Sequence, residues 1–373
     1  MASTSLRSSG AMAQLSINLD ALKKNYQTLR TLAGSAQCAG VVKADAYGLG
    51  VEPVSRALWD AGCRVYFVAI LSEAEVLRKL LPDAEIYVLN GLIKGSAPEY
   101  ARLNLTPVLA SMEEIDEWSQ FCRDKNSRLP AAVHVDTGIN RLGMEYGDAV
   151  QCFQSGATFQ DFNLSMVMSH LACADEPAHA LNQQQVKKFK ALRSLTPDVT
   201  FSLANSAGII STPDAHFDLV RPGIALYGGN PVAGASTVIK PVATLKAAVL
   251  QVRNVAAGQS VGYGATFTCQ RASKVAILGL GYADGFFRNL SGTNAKIRAR
   301  VYIDGHFAPV IGRVSMDMIG VDVTGLPASC VARAQMVEIF GENISLDGVA
   351  QAGKTLSYEV LTRLGNRFDR VYT

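Results

Sequence analysis

Five segments of this chain set reactive side chains directly at the ends of apolar runs. Lys43 closes Val41-Val42-Lys43 and leads into Ala44-Asp45-Ala46-Tyr47-Gly48. His134-Val135-Asp136-Thr137-Gly138 ends another run, with Arg141 just beyond it. Ser169-His170, Ala204-Asn205-Ser206-Ala207-Gly208 and Val220-Arg221-Pro222-Gly223-Ile224 end three more. A lysine at an apolar strand end is desolvated, which lowers its pKa and frees the amine for Schiff-base chemistry with a carbonyl. Backbone N–H groups beside a hydroxyl, as at Ser206 and Gly223-Ile224, suit a phosphate monoester. Taken singly, each residue has a plainer reading. Lys43 fits an edge lysine with a solvated head, His170 a hydrogen-bonded core histidine, and Arg221 a partner for Asp218. Their shared position at strand ends is what argues for a common site.

That position depends on the elements between them. Apolar, β-branched stretches recur near Cys38–Val42, Val65–Ile70, Glu85–Leu89, Leu105–Leu109, Ala131–Val135, Leu164–Ser169, Val199–Ala204 and Phe217–Val220. Helical spacing fills most gaps, over Glu52–Gly62, Ser72–Leu81, Ser111–Asp124 (opened by a Ser111/Glu114 capping pair) and Ala178–Leu195. Eight strands alternating with helices predict an α/β fold of the (β/α)8 TIM-type barrel; a doubly wound sheet is the rival. In such a barrel the site lies at the C-terminal strand ends, and the loops after strands seven and eight hold phosphate. Lysine, phosphate cradle and a ring-stacking histidine together suggest pyridoxal phosphate. After Tyr227 the texture changes. Gly228–Val238 reads as a linker, followed by short strands over Val242–Val252, Lys274–Leu278, Ile297–Ile303, His306–Ile311 and Gln335–Phe340, and a helix near Leu356–Leu364. Asp304-Gly305 between two of the strands is a hairpin signal. We therefore expect a barrel over 20–235 and a mostly β C-terminal domain over 236–373.

Composition narrows the partners. Lys+Arg 35 against Asp+Glu 32 leaves a net charge of +3 over 373 residues, with no basic runs, so no nucleic-acid partner is expected. The longest purely apolar stretch, Val65 to Leu71, is far short of the roughly 20 residues of a membrane span. Seven single cysteines without a CxxC pair argue against a metal site and a disulfide framework, and for a reducing, cytoplasmic compartment. Residues 1–11, Ser-rich and without an apolar core, read as a disordered leader.

The segment Val41–Gly48 closely resembles the pyridoxal-phosphate lysine motif of the alanine racemases. The similarity continues in family order through His134–Gly143, Ser169–Ala172, Ala204–Gly208, Arg221–Gly228, Gly262–Thr266, Gly281–Gly285, Gly312–Asp317 and Ser357–Glu359. The resemblance implies a pyridoxal-phosphate barrel followed by a β domain, which the segment 12–19 joins as a strand. It implies an isomerase that interconverts L- and D-alanine, supplies D-alanine for peptidoglycan, and works as a homodimer. Lys43 then matches the cofactor lysine and the base on one face of the substrate Cα. Tyr263 matches the opposite-face base, contributed by the second subunit, its pKa lowered with help from His170 and Arg221. Arg221 matches the partner of the pyridine nitrogen and His170 the ring-side histidine, with Asn205 in the same cofactor set. Tyr47, Ser206, Gly223, Ile224 and Tyr358 match the phosphate ligands. Arg141 and the Met316 backbone match the substrate-carboxylate site, with Asp317 positional. Tyr282, Arg288 and Tyr358 match a narrow access gate, one that would exclude large amino acids.

His134 departs from the family pattern, where a lysine is common and often carbamylated to brace the arginine matched by Arg141. A histidine forms no stable carbamate, so Arg141 is expected to take another partner, a chloride ion or an altered hydrogen bond. Three other functions compete: a broader-specificity racemase acting on serine or lysine, a barrel decarboxylase, and a non-catalytic pyridoxal-phosphate-binding protein. A decarboxylase needs a different acid in place of Tyr263. A binding protein predicts neither the β domain nor that tyrosine.

Overall fold

In the computed structural model, residues 10–232, 234–235 and 239–373 are described. Most of the expected leader, and positions 233 and 236–238 of the linker and domain boundary, lie outside the described residues. The chain separates into two compact units: Leu22–Leu226 with Asn230–Lys240, and Met1–Ala21 with Tyr227–Gly229 and Pro241–Thr373.

In the first unit each β-branched run pairs in parallel with the next. Gly40–Val41, Val65–Val68, Glu85–Val88, Thr106–Leu109, Pro130–His134, Asn163–Met168 and Thr200–Ser202 form a seven-stranded sheet in chain order. The sheet then closes on itself. Leu219–Val220 pairs in parallel with Gln37–Cys38, the start of the first strand segment. On its other side Asp218 N donates to Phe201 O and Arg221 N to Ala204 O, both at 3.0 Å. A doubly wound sheet has two free edges; here the edges meet, so the fold is the eight-stranded barrel. Its strands are apolar on both faces because one side faces the barrel interior and the other the helices. Val65–Val68 and Thr106–Leu109 are buried at every position.

The intervening helices begin where local chemistry starts them. Met112–Asp124 opens with Ser111 Oγ accepting from Glu114 N at 3.3 Å. The Glu114 carboxylate reaches back to Ala110 N at 2.8 Å, one residue earlier than a reciprocal capping box would have it.

The second unit is built on an eight-stranded sheet. Its spatial order is Ser273–Leu278, Ile319–Asp322, His306–Ile311, Arg300–Ile303, Met336–Phe340, Ala243–Val255, Ala13–Ile17 and Asp369–Tyr372. The 13-residue strand Ala243–Val255 serves two neighbourhoods. Its first half pairs with Ala13–Ile17 and Met336–Phe340, and its second half, past an irregularity at Val249/Gln251, pairs with Ser273–Leu278. Asp304 and Gly305 turn the hairpin with φ of 41° and 89°, the double left-handed geometry of a tight two-residue loop.

Candidate active site

The first strand segment ends in an unusual turn. Over Lys43–Gly48, Ala44, Asp45, Ala46 and Tyr47 hold φ of 53°, 53°, 53° and 57°, one turn of left-handed helix made from L-residues. Each such residue costs about 1–2 kcal/mol, so the turn persists only because its surroundings hold it. Ala46 N donates to Val42 O at 2.9 Å, and Asp45 Oδ1 accepts from Val51 N at 2.7 Å. Asp45 therefore does turn chemistry. The turn buries Tyr47 and brings its hydroxyl against Gly223, where a Cβ would lie 2.2 Å from Tyr47 Oη. Glycine at 223 is what lets the phenol approach. Ser206 Oγ accepts from Gly223 N at 2.8 Å and from Ala225 N at 3.3 Å. With both acceptor sites used, the Ser206 proton is left to donate. Tyr47, Ser206, Gly223 and the buried Ile224 make a small cradle lined by hydroxyls and backbone, the chemistry a phosphate group requires.

Beside the cradle lies a cationic cluster. Burial lowers the Lys43 pKa first, the Arg141 charge adds to this, Glu73 opposes it and Arg221 lowers it further. The amine is thus biased toward its uncharged, nucleophilic form. Arg221 is 4 % exposed, and burial brings its pKa down to about 9, which leaves it a cation at neutral pH. Its guanidinium donates to Ser202 Oγ and, at 2.6 Å, to Ser169 O. The plainer reading of Arg221, a pairing with Asp218 or another carboxylate, does not form among the described residues; Asp218 accepts from Arg193 at 2.6 and 2.8 Å. The two nitrogens of His170 face donors on both sides, Arg221 Nη2 at 3.5 Å from Nδ1 and Asn205 Nδ2 at 3.4 Å from Nε2. An imidazolium would point its N–H groups at those donors. Burial first, then Arg221, Arg141, His134 and Lys43, hold His170 neutral well below its ordinary pKa. His134 is buried and its pKa lowered to about 4, by burial and then by Arg221 and Arg141, and its Nε2 has no hydrogen-bond partner among the described residues. A neutral His134 cannot supply the negative charge that a carbamate would, and Arg141 makes no ion pair among the described residues.

Several supports carried no legible signal in the sequence. Gln185, fully buried on the Ala180–Arg193 helix, donates to His170 O at 2.8 Å and Thr137 Oγ1 at 3.1 Å, and accepts from Ala172 N at 2.9 Å. Thr137 and Ser169 hydroxyls bond each other at 2.8 Å. These contacts tie the fifth and sixth strand ends to the helix that follows them.

The remaining candidates stand in the second unit. Tyr263 is 72 % exposed, on a turn whose Gly264 packs against the Arg313 guanidinium, where a Cβ would lie 2.7 Å from Nη1. Tyr282 and Met316 are drawn together by backbone bonds. Tyr282 N donates to Ser315 O and Ala283 N to Met316 O, both at 3.0 Å. Arg367, absent from the sequence reading, fastens that junction. Its Nε donates to the buried Asp284 at 2.7 Å and its Nη1 to Asp317 at 2.8 Å, while Asp284 also accepts from Gly281 N at 2.9 Å. Arg288 is exposed on the turn Arg288–Leu290, and Tyr358 is exposed on the Ser357–Thr362 helix.

A closed parallel barrel carrying a partly buried lysine, an arginine-flanked neutral histidine and a Tyr–Ser–Gly cradle at its strand ends defines a barrel protein organised around one reactive lysine. Residues 17–231 match the model of the alanine racemase N-terminal domain, and residues 242–372 that of the C-terminal domain. The chain belongs to the alanine racemase family. It is 47% identical over 360 residues to an alanine racemase of Methylobacterium nodulans, covering 96% of each chain. It is 41% identical over 368 residues to the biosynthetic alanine racemase of Agrobacterium fabrum, covering 97% of this chain and 94% of that one. The crystal structure of alanine racemase from Bartonella henselae with covalently bound pyridoxal phosphate superimposes with a TM-score of 0.92 at 38% identity. It covers 97% of this chain and 100% of that one.

Proposed function

We propose that this protein interconverts L- and D-alanine with pyridoxal phosphate as its cofactor. The observation that carries the reading is Lys43, partly buried at the first strand end and acted on by the charges of Arg141 and Arg221, beside a cradle from which a Cβ at 223 is excluded. The residues fit a phosphate-bearing aldehyde: Lys43 to hold it covalently, Tyr47, Ser206, Gly223, Ile224 and Tyr358 at the phosphate, and His170, Asn205 and Arg221 about the ring. When bound, that group supplies an electron-accepting ring that acidifies the substrate Cα–H.

Racemisation requires a proton to leave one face of Cα and return on the other, so two bases must flank the substrate. Lys43 Nζ, biased toward the free amine, serves one face. Tyr263 of the partner subunit serves the other. Its exposure in the single chain supports a homodimer in which each site is completed by the second copy. Arg221 has only donors to offer, so a ring nitrogen facing it stays unprotonated. Arg221 would thereby favour prompt return of the proton over competing chemistry. Arg141 and the Met316 backbone bind the carboxylate, with Asp317 and His134 supporting them. Tyr282, Arg288 and Tyr358 narrow access to small amino acids. The barrel over 20–235 carries the cofactor, and the 236–373 domain, joined by strand 12–19, supplies the tyrosines. No helix among the described residues is long and apolar enough to cross a membrane. We place the enzyme in the cytoplasm, where its product would feed peptidoglycan synthesis.

The test is to incubate the purified holoenzyme with L-alanine and, separately, with L-serine and L-lysine, and to measure the D-enantiomers. D-alanine is the expected main product, and Lys43→Ala should lose both that activity and the visible band of bound cofactor. Bound cofactor without D-alanine formation would overturn the proposal.

A further inference from the structure

The Lys43 turn has a brace outside every residue assigned above. Glu73 is the third residue of the helix Leu71–Leu80, the usual place for a capping glutamate, and its Oε2 accepts from Ala69 N at 2.8 Å and Ile70 N at 3.4 Å. Capping does not explain its other oxygen. Oε1 accepts from Ala44 N at 2.7 Å, the first peptide after Lys43 and 29 residues earlier in the chain. The first two strands are paired in parallel up to Val42 N donating to Phe67 O at 2.9 Å. Beyond that rung the ladder stops, because the left-handed turn carries Ala44 N away from its neighbour's carbonyls. The Glu73 carboxylate takes over there, accepting from Ala44 N at one strand end and from Ala69 N and Ile70 N at the other.

We infer that Glu73 is the positioning residue for Lys43: by clamping Ala44 N to Ala69 N it holds the left-handed turn that aims the lysine amine into the barrel mouth. The inference deepens the function proposed above and rests on Lys43 being the cofactor lysine. A carboxylate suits the task because it accepts on both oxygens, whereas a glutamine would turn an NH2 toward one of the two N–H groups. Its charge has a second effect. Among the described residues whose charges act on Lys43, Arg141 and Arg221 disfavour its proton and Glu73 favours it, with His170 neutral beside them.

The experiment uses the holoenzyme and Glu73→Gln. A reacting group misplaced by about 1 Å loses roughly 100-fold in rate, so kcat is expected to fall by that order with a smaller change in KM. The pH dependence of the visible band should move to lower pH. Amide exchange over residues 43–48 should rise about tenfold, as expected for loss of a charge-assisted hydrogen bond. Ala44→Gly tests the cause, since glycine adopts φ near 53° without penalty. Added to Glu73→Gln it should recover much of kcat, whereas a role confined to capping the Leu71–Leu80 helix would gain nothing. If Glu73→Gln does not fold, Glu73→Asp keeps the charge and the cap but is one methylene too short to span both strands, and is read by kcat and by amide exchange over residues 43–48, an unchanged exchange overturning the inference. Unchanged exchange and band, or a deficit that Ala44→Gly leaves intact, overturns the inference. Raised exchange in an enzyme that makes no D-alanine would instead sink the cofactor reading and leave the brace standing.

Discussion

Gly223→Ala puts one methyl group into the most crowded point of the cradle. Its Cβ would lie 2.2 Å from Tyr47 Oη and 3.0 Å from Cζ, against an ordinary contact of about 3.5 Å. Something must therefore move by about 1 Å. Tyr47 cannot swing away, because it is buried and its backbone sits in the left-handed turn at φ 57°. Retreat of the 223 backbone would stretch the Gly223 N bond to Ser206 Oγ, now 2.8 Å, and the neighbouring Val41 N bond to Pro222 O, now 3.1 Å. Overpacking of this kind costs about 1–3 kcal/mol. Because the groups displaced are those proposed to hold the phosphate, the loss should appear as a cofactor Kd weakened about 5- to 150-fold. Titration of the protein with pyridoxal phosphate, followed by visible absorbance, measures it, with thermal melting alongside. Tyr47→Phe added to Gly223→Ala removes the 2.2 Å contact but not the 3.0 Å one, so partial recovery relative to Tyr47→Phe alone is expected. A Gly223→Ala protein that binds and melts like the parent, or a double variant without recovery, refutes the reasoning.

Two further perturbations probe the supports of the site. Arg367→Met leaves the buried Asp284 with its Gly281 N bond alone and frees Asp317. The expected cost is roughly 1–2 kcal/mol, discounted because the guanidinium is half exposed. The KM for alanine should rise severalfold with the visible band retained, and an unchanged KM would remove Arg367 from the account of the Tyr282–Met316 junction. His134 is held neutral in the folded protein down to about pH 4, but in the unfolded chain it protonates near its ordinary 6.5. The unfolded state therefore binds the extra proton between those values, and stability falls as pH drops through that window, by about 3 kcal/mol for this residue. His170 acts in the same direction. Melting curves from pH 7 to 4 should fall less steeply for His134→Gln than for the parent; parallel curves would contradict the assignment.

The barrel was legible because its signal is periodic. Eight β-branched runs alternate with amphipathic helices, and most positions in the runs are buried, so the alternation shows in the pattern. The cluster at the mouth was legible because reactive residues sit at fixed offsets from the ends of those runs. Ile319–Asp322, Ala97–Arg102 and Leu346–Ala352 were not foreseen, being short and without a clear period. Glu73, Gln185, Asp284 and Arg367 were invisible for another reason. Each acts through hydrogen bonds to residues far away in the chain, and such bonds leave no mark in local spacing.

The sequence by itself thus determined the order of elements, the strand ends at which chemistry is possible and, through motifs spanning nearly the whole chain, the family. Closure of the sheet was decided only in three dimensions, because it depends on Leu219–Val220 meeting Gln37–Cys38 across some 180 residues. The same holds for the left-handed turn after Lys43. Apart from Asp45, nothing in Ala44-Asp45-Ala46-Tyr47 favours positive φ; the conformation exists because Val42 and Val51 nearby and Glu73 from farther along the chain supply hydrogen-bond partners and Gly223 leaves room for the phenol. Where local preference and global packing disagree, the packing has the larger energy, and that is where the reactive lysine stands.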